Sequence, residues 1–150
     1  MKAIVFRDPE TAIEVADVDL AAPKAGEVRV KIAAAGVCHS DLHVKRGEWD
    51  APAPLVMGHE GSGVVVELGE GVNSLAVGDH VVLSWVPPCG ECRYCRSGHE
   101  ARCHKVATVV APKGVLYDGT SRLSKDGETL HHYLGVSSFA EEVVVPASGA

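Results

Sequence analysis

The chain has 150 residues, about the length of one domain, with 46% hydrophobic and 23% charged residues, an ordinary globular mix that excludes a disordered tail, a fibre and a coiled coil. Lys plus Arg number 14 against 20 for Asp plus Glu, a net charge of −6, and the longest basic stretch is the dipeptide Lys45-Arg46, so a nucleic-acid or acidic-membrane partner is disfavoured. No apolar window is long enough to span a bilayer, and Met1 to Asp8 lacks the apolar region of a secretion signal. A soluble, unexported, cytoplasmic protein is expected.

Along the chain the pattern is mostly β. Val28-Arg29-Val30-Lys31-Ile32 alternates apolar and charged residues, the mark of a half-buried strand. One short helix is expected over Asp41–Arg46, with Ser40 as its cap and Gly47 closing it. Val64–Val66, His80–Leu83 and Phe139–Val145, the last ended by Pro146, are apolar runs suited to strands, and Gly69-Glu70-Gly71 and Gly78-Asp79 supply turns between them. Short strands at this spacing predict a barrel or sandwich. From Pro112 to His132 the chain is polar with little periodicity, and an extended surface excursion is expected.

Four of the five cysteines crowd into one loop. Cys89, Cys92 and Cys95 are separated by two residues each, and Cys103 follows after seven more, a spacing that lets four thiolates converge on one ion. Zinc with four sulfur ligands is closed and tetrahedral, so this is a structural site, holding a lobe expected to have no core of its own. An iron–sulfur cluster is the rival, although its common run places the fourth cysteine after three residues and follows it with proline.

The fifth cysteine lies in Cys38-His39-Ser40-Asp41-Leu42-His43, and Gly58-His59-Glu60-Gly61-Ser62-Gly63 follows some way on. Cys38 and His59 supply half of a zinc coordination sphere, and a catalytic zinc needs a third protein ligand. Either Glu60 completes the site or a sulfur comes from polypeptide outside these residues.

The run Gly58-His59-Glu60-x-x-Gly63-x5-Gly69-x-x-Val72 resembles the zinc signature of the medium-chain alcohol dehydrogenases, and Cys38-His39-Ser40-Asp41 and the Cys89/92/95/103 loop fall at that family's distances. Asp118-Gly119-Thr120-Ser121-Arg122-Leu123, with His132-Tyr133 and Ser138-Phe139, is most similar to the class III-like, long-loop branch that includes thiol-dependent formaldehyde dehydrogenases. The resemblance implies a GroES-like, partly open β-barrel over residues 1–150. It also implies a Rossmann domain beyond them that binds NAD and delivers the third zinc cysteine; Gly61-Ser62-Gly63 does not match a dinucleotide fingerprint.

The same resemblance assigns roles. Cys38 and His59 would hold the catalytic zinc, with Glu60 as an alternate ligand; Ser40 would receive the alcohol proton and pass it towards His43, a residue type suited to the exit of a relay. Asp41 would orient His59, His39 would meet the cofactor, and Trp49 and Trp85 would line the substrate pocket. Each has a plainer reading: Ser40 a helix cap, His43 a solvated helix residue, Asp41 a charge favouring the helix dipole, His39 a surface histidine, the tryptophans packing residues, and Glu60 a buried, hydrogen-bonded acid. His80, His99, His104, His131 and His132 read as structural or solvated, and Glu141-Glu142 as a solvent-facing edge pair.

The glutathione-dependent branch carries an arginine four residues after the last loop cysteine, where this chain has Ala107. This departure from the branch argues against glutathione adducts and leaves open a neutral primary or aromatic alcohol, or the adduct of another thiol. An NAD-dependent alcohol dehydrogenase that is a homodimer or homotetramer at full length, with residues 1–150 inactive alone, is the expectation. A stand-alone zinc-binding structural or interaction module is the alternative.

Overall fold

The computed structural model describes residues 1–150. Ten strands form two antiparallel-dominated sheets, and helices are short. Strand β1 (Lys2–Phe6) pairs with β2 (Glu14–Asp17), followed by β3 (Asp19–Leu20), β4 (Glu27–Gly36), helix α1 (His39–Lys45), β5 (Leu55–Val56), β6 (Glu60–Leu68) and β7 (His80–Leu83). Helix α2 (Arg93–Arg96) lies in the cysteine loop; a π-helical turn, Val106–Val110, runs into α3 (Ala111–Lys113); β8 (Leu123–Lys125), β9 (Glu128–His132) and β10 (Glu142–Pro146) complete the chain.

The four-stranded sheet has the order β10-β4-β6-β7, and the six-stranded sheet β2-β1-β5-β9-β8-β3, with one bridge, Ala3 to Ala140, between the two groups. The alternation expected at residues 28–32 is observed: Val28 and Val30 are fully buried and pack with Val65, Val81, Leu83, Val143 and Val145. A second core gathers Val5, Val18, Val56, Leu123 and Leu130, and a third packs Phe6, Leu55 and Met57 against Val44 of α1 and Tyr133. The curled, mainly β architecture is the GroES-like half-barrel expected.

Strand β6 extends well beyond Val64–Val66 because it follows β4 through two register shifts, at Arg29/Val30 and Ile32/Ala34. Such irregularities bend a ladder and re-aim the side chains beside it. Gly63 stands at the second: a Cβ there would lie 2.8 Å from Val30 Cγ1 and against the Lys31 backbone, so the strands approach this closely only with glycine.

Three expectations are corrected. Helix α1 begins at His39 with Cys38 as its N-cap, so Ser40 lies inside the first turn and caps nothing; the Asp41 carboxylate instead reaches back to accept the Cys38 backbone N–H at 3.0 Å. Gly47, at φ 70°, closes the helix as expected. The segment 112–132 is not a surface excursion. It forms the β8–β9 hairpin over Asp126 (φ 51°) and Gly127 (φ 83°), which inserts between β5 and β3. Beneath it Arg122, 1% exposed, forms a two-pronged ion pair with buried Glu27 (2.5 and 2.9 Å) and reaches Asp118 at 2.9 Å. The last strand starts later than expected, at Glu142, because Phe139–Glu141 bond to β1 (Ile4 N–H to the Phe139 carbonyl, Glu141 N–H to the Lys2 carbonyl) instead of forming part of the strand, and it runs on to include Pro146.

Candidate metal centres and the cavity beside them

The cysteine loop gathers as its spacing requires. The four sulfurs of Cys89, Cys92, Cys95 and Cys103 lie within 4.8 Å of one another, with Cys89 to Cys95 at 3.9 Å and Cys92 to Cys95 at 3.5 Å. Metal–sulfur bonds of about 2.3 Å in a tetrahedron place sulfurs about 3.8 Å apart, so this spacing fits one ion. A multi-iron cluster spreads its thiolates over several metal atoms, and the compact set disfavours it. Backbone N–H groups of Cys95 and His104 pull the Cys92 thiol down to about 6, whereas burial pushes Cys95 up. The lobe does have a small core, Cys95, Cys103, Val106 and Val110, but half of it is cysteine.

The second cluster is assembled from distant strands. Strand β4 ends at Gly36, opposite Glu60 at the start of β6, so the residues just beyond each end, Cys38 and His59, converge. Ligand atoms of Cys38, His59 and Glu60 lie within 4.8 Å of one another. A Cβ on Gly36 would run into the Glu60 carboxylate, so the bare backbone there admits the acid. Glu60 is exposed, which corrects its reading as a buried acid, while His59 is buried and Cys38 half-buried. Thiolate, imidazole and carboxylate suit zinc chemically, and the set fits the metal implied by the sequence.

Ser40 and Asp41 flank His59 from α1. Ser40 Oγ is 3.3 Å from His59 Nε2, and buried Asp41 Oδ1 is 3.4 Å from His59 Nδ1. The latter separation exceeds a good hydrogen bond, leaving both atoms without a formal partner, so Asp41 lies beside the Nδ1 edge of the ring without closing a hydrogen bond to it. Asp41 raises the His59 pKa against the opposing effect of burial, and hydrogen bonding from Ser40 lowers that of the Cys38 thiol.

The cluster opens into a cavity of about 750 Å³ whose walls include Trp49, Trp85, Ala111, Tyr133 and Leu134, with Ser40, His39 and His43 also on its surface. Trp49 and Trp85 are 52% and 53% exposed, so they line the cavity and are not core packing. Tyr133 was not singled out as a site residue. Its hydroxyl donates to the Ser40 carbonyl at 3.3 Å, and its ring meets His59 edge-on at 5.4 Å between centroids. An aromatic residue next to a histidine pair carries no signal of this until β9 is placed beside β5. The remaining histidines stand apart; His132 is fully buried, its Nε2 accepts the Arg122 backbone N–H at 3.2 Å, and burial pushes its pKa down to about 3. Glu141 accepts the Lys2 N–H and Glu142 pairs with Arg29 on the edge strand. No helix is long and apolar enough to cross a membrane.

Residues 24–150 match the model of the alcohol dehydrogenase GroES-like domain. The S-(hydroxymethyl)glutathione dehydrogenases of Escherichia coli and Shigella sonnei are 45% identical over 145 residues, 96% of this chain and 39% of theirs. An alcohol dehydrogenase zinc-binding domain protein from Burkholderia ambifaria superposes with a TM-score of 0.91 at 38% identity, covering 99% of this chain and 40% of its own. The benzyl alcohol dehydrogenase of Acinetobacter calcoaceticus does so at 0.87 and 34% identity, covering 99% of this chain and 39% of its own. The chain thus spans about 39% of the length of these curated relatives. It belongs to the alcohol dehydrogenase GroES-like domain family.

Proposed function

We propose that residues 1–150 are the metal-bearing catalytic domain of a zinc- and NAD-dependent alcohol dehydrogenase whose nucleotide-binding domain lies in further polypeptide. The convergence of Cys38, His59 and Glu60 on the wall of the 750 Å³ cavity, with Ser40 beside them, carries this reading. Bound there, zinc supplies a Lewis acid that acidifies the hydroxyl of an alcohol. Cys38 and His59 would hold the ion, Glu60 would be an alternate donor, and a cysteine of the further polypeptide would complete the set. Asp41, beside His59 Nδ1, would fix the orientation of that ring. The Ser40 hydroxyl would accept the substrate proton as it gives up its own towards His43, and His43 would release one proton to water. His39 meets the cofactor, and the apolar walls exclude solvent from the reacting bond.

The wall chemistry supports a substrate class. No lysine or arginine lines the cavity, which instead carries Asp50 and Glu60 beside Trp49, Trp85 and Tyr133. An anionic peptide adduct of the kind named for the Escherichia coli relative finds no counter-charge, so a neutral primary alcohol with a flat aromatic group is the better fit. Cys89, Cys92, Cys95 and Cys103 bind a second, structural zinc. The full-length protein works as a cytoplasmic homodimer or homotetramer, and this domain alone does not turn over.

In the full-length protein, Cys38→Ser should abolish benzyl alcohol oxidation, reduce bound zinc from two per chain to one, and leave thermal unfolding close to wild type. Turnover at the wild-type rate in Cys38→Ser overturns the metal-centred reading. A higher kcat/KM for the glutathione adduct of formaldehyde than for benzyl alcohol overturns the substrate class alone.

A further inference from the structure

The turn after α1 folds back onto His43. Gly47, in the left-handed region at φ 70°, reverses the chain, and the backbone N–H groups of Glu48 and Trp49 both donate to the His43 carbonyl, at 2.9 and 3.3 Å. That reversal surrounds one imidazole on three sides. The Trp49 ring stacks on its face, 4.6 Å between centroids and 21° between planes; Glu48 Oε2 contacts Nδ1; and His39 Nδ1 lies 3.1 Å from Nε2.

We propose that Glu48 is a positioning residue that fixes His43 in the tautomer bearing its proton on Nδ1, leaving Nε2 as the basic nitrogen. A carboxylate offers only acceptors, so the nitrogen in contact with it must donate. Hydrogen bonding from His43 holds the Glu48 carboxyl below the usual carboxylate range, which keeps it an acceptor, and Arg46, 3.9 Å away, adds a cation. In neutral His43 the Nε2 lone pair then accepts from His39 Nδ1–H.

The consequence for proton transfer rests on the relay reading given above. A proton taken up at Nε2, as His39 Nδ1–H gives way, makes an imidazolium paired with the Glu48 carboxylate, and its loss from Nε2 restores the Nδ1–H form. Without Glu48 the ring samples both tautomers and turns about its bond to Cβ, and in the Nε2–H form Nε2 cannot accept a proton.

The test uses full-length protein labelled with 15N at histidine, and reads the His43 tautomer from long-range nitrogen–proton correlations in wild type, E48A and E48D. Wild type and E48D should show the Nδ1–H form; E48A should lose it, with kcat falling about tenfold and KM changing less than about twofold. Persistence of the Nδ1–H form in E48A overturns the proposal. The relay fails separately: if H43A turns over at the wild-type rate, His43 carries no proton from the cavity, whatever tautomer Glu48 imposes.

Discussion

The two cysteine sites differ in how the chain builds them. Cys89, Cys92, Cys95 and Cys103 come from one short stretch, all four donors are sulfur, and two are buried. Cys38, His59 and Glu60 are brought together by the pairing of two strands, use three kinds of donor, and all three lie on the wall of an open cavity. A local, saturated set of donors organises the chain around itself. A long-range, mixed set is organised by the fold and retains room for substrate.

That contrast predicts opposite responses to similar changes. Cys103→Ser should have the largest effect on stability, because Cys103 is 1% exposed and the lobe's core is half cysteine; several kcal/mol of metal-linked stability should disappear, read as a lower unfolding temperature that zinc no longer raises. Cys38→Ser should move the unfolding temperature little and remove turnover. Equal thermal losses in the two variants would erase the distinction.

Asp41→Asn sharpens the comparison at the open site. The weakened contact with His59 should lower zinc affinity there by about 10–100-fold while the four-cysteine site is untouched, as measured by competition with a chromophoric chelator. If both metals loosen together, the sites are not independent.

A smaller effect concerns the hairpin behind the open site. His132 is buried neutral, with its pKa pushed down to about 3, so the unfolded chain takes up a proton at this residue before the folded one does. Its stabilising contribution is complete above its unfolded pKa of about 6.5 and is lost as the pH falls towards 3. His132→Gln should flatten the acid limb of denaturant-unfolding curves recorded from pH 7 to pH 4. An unchanged slope shows that another group sets it.

These regions also differ in how plainly the sequence displays them. Four cysteines at two-residue gaps announce their convergence because the determinant is local. Cys38 and His59 were recognisable through their neighbours Ser40, Asp41 and Gly63, and the alternation over residues 28–32 placed β4. The place of Tyr133 at the site is not legible in the sequence because its contact with Ser40 spans 93 positions and depends on β5 pairing in parallel with β9. The stretch 112–132 reads as surface because it is polar with little periodicity, yet Arg122 is buried by a partner, Glu27, that lies 95 residues away. The Asp126-Gly127 pair was the available signal, since two successive residues at positive φ make a tight hairpin turn. Ser40 was misplaced as a cap because Cys38 rarely fills that role, and only the reach of Asp41 back to its N–H reveals the helix start.

Metal release from the full-length protein under a rising chelator concentration, followed together with benzyl alcohol turnover and circular dichroism, tests the division between a closed and an open site most directly. One zinc per chain should leave first and take activity with it while the fold remains, and the second should leave only as the cysteine lobe unfolds. Simultaneous loss of both metals, or full activity after the first has gone, would contradict it.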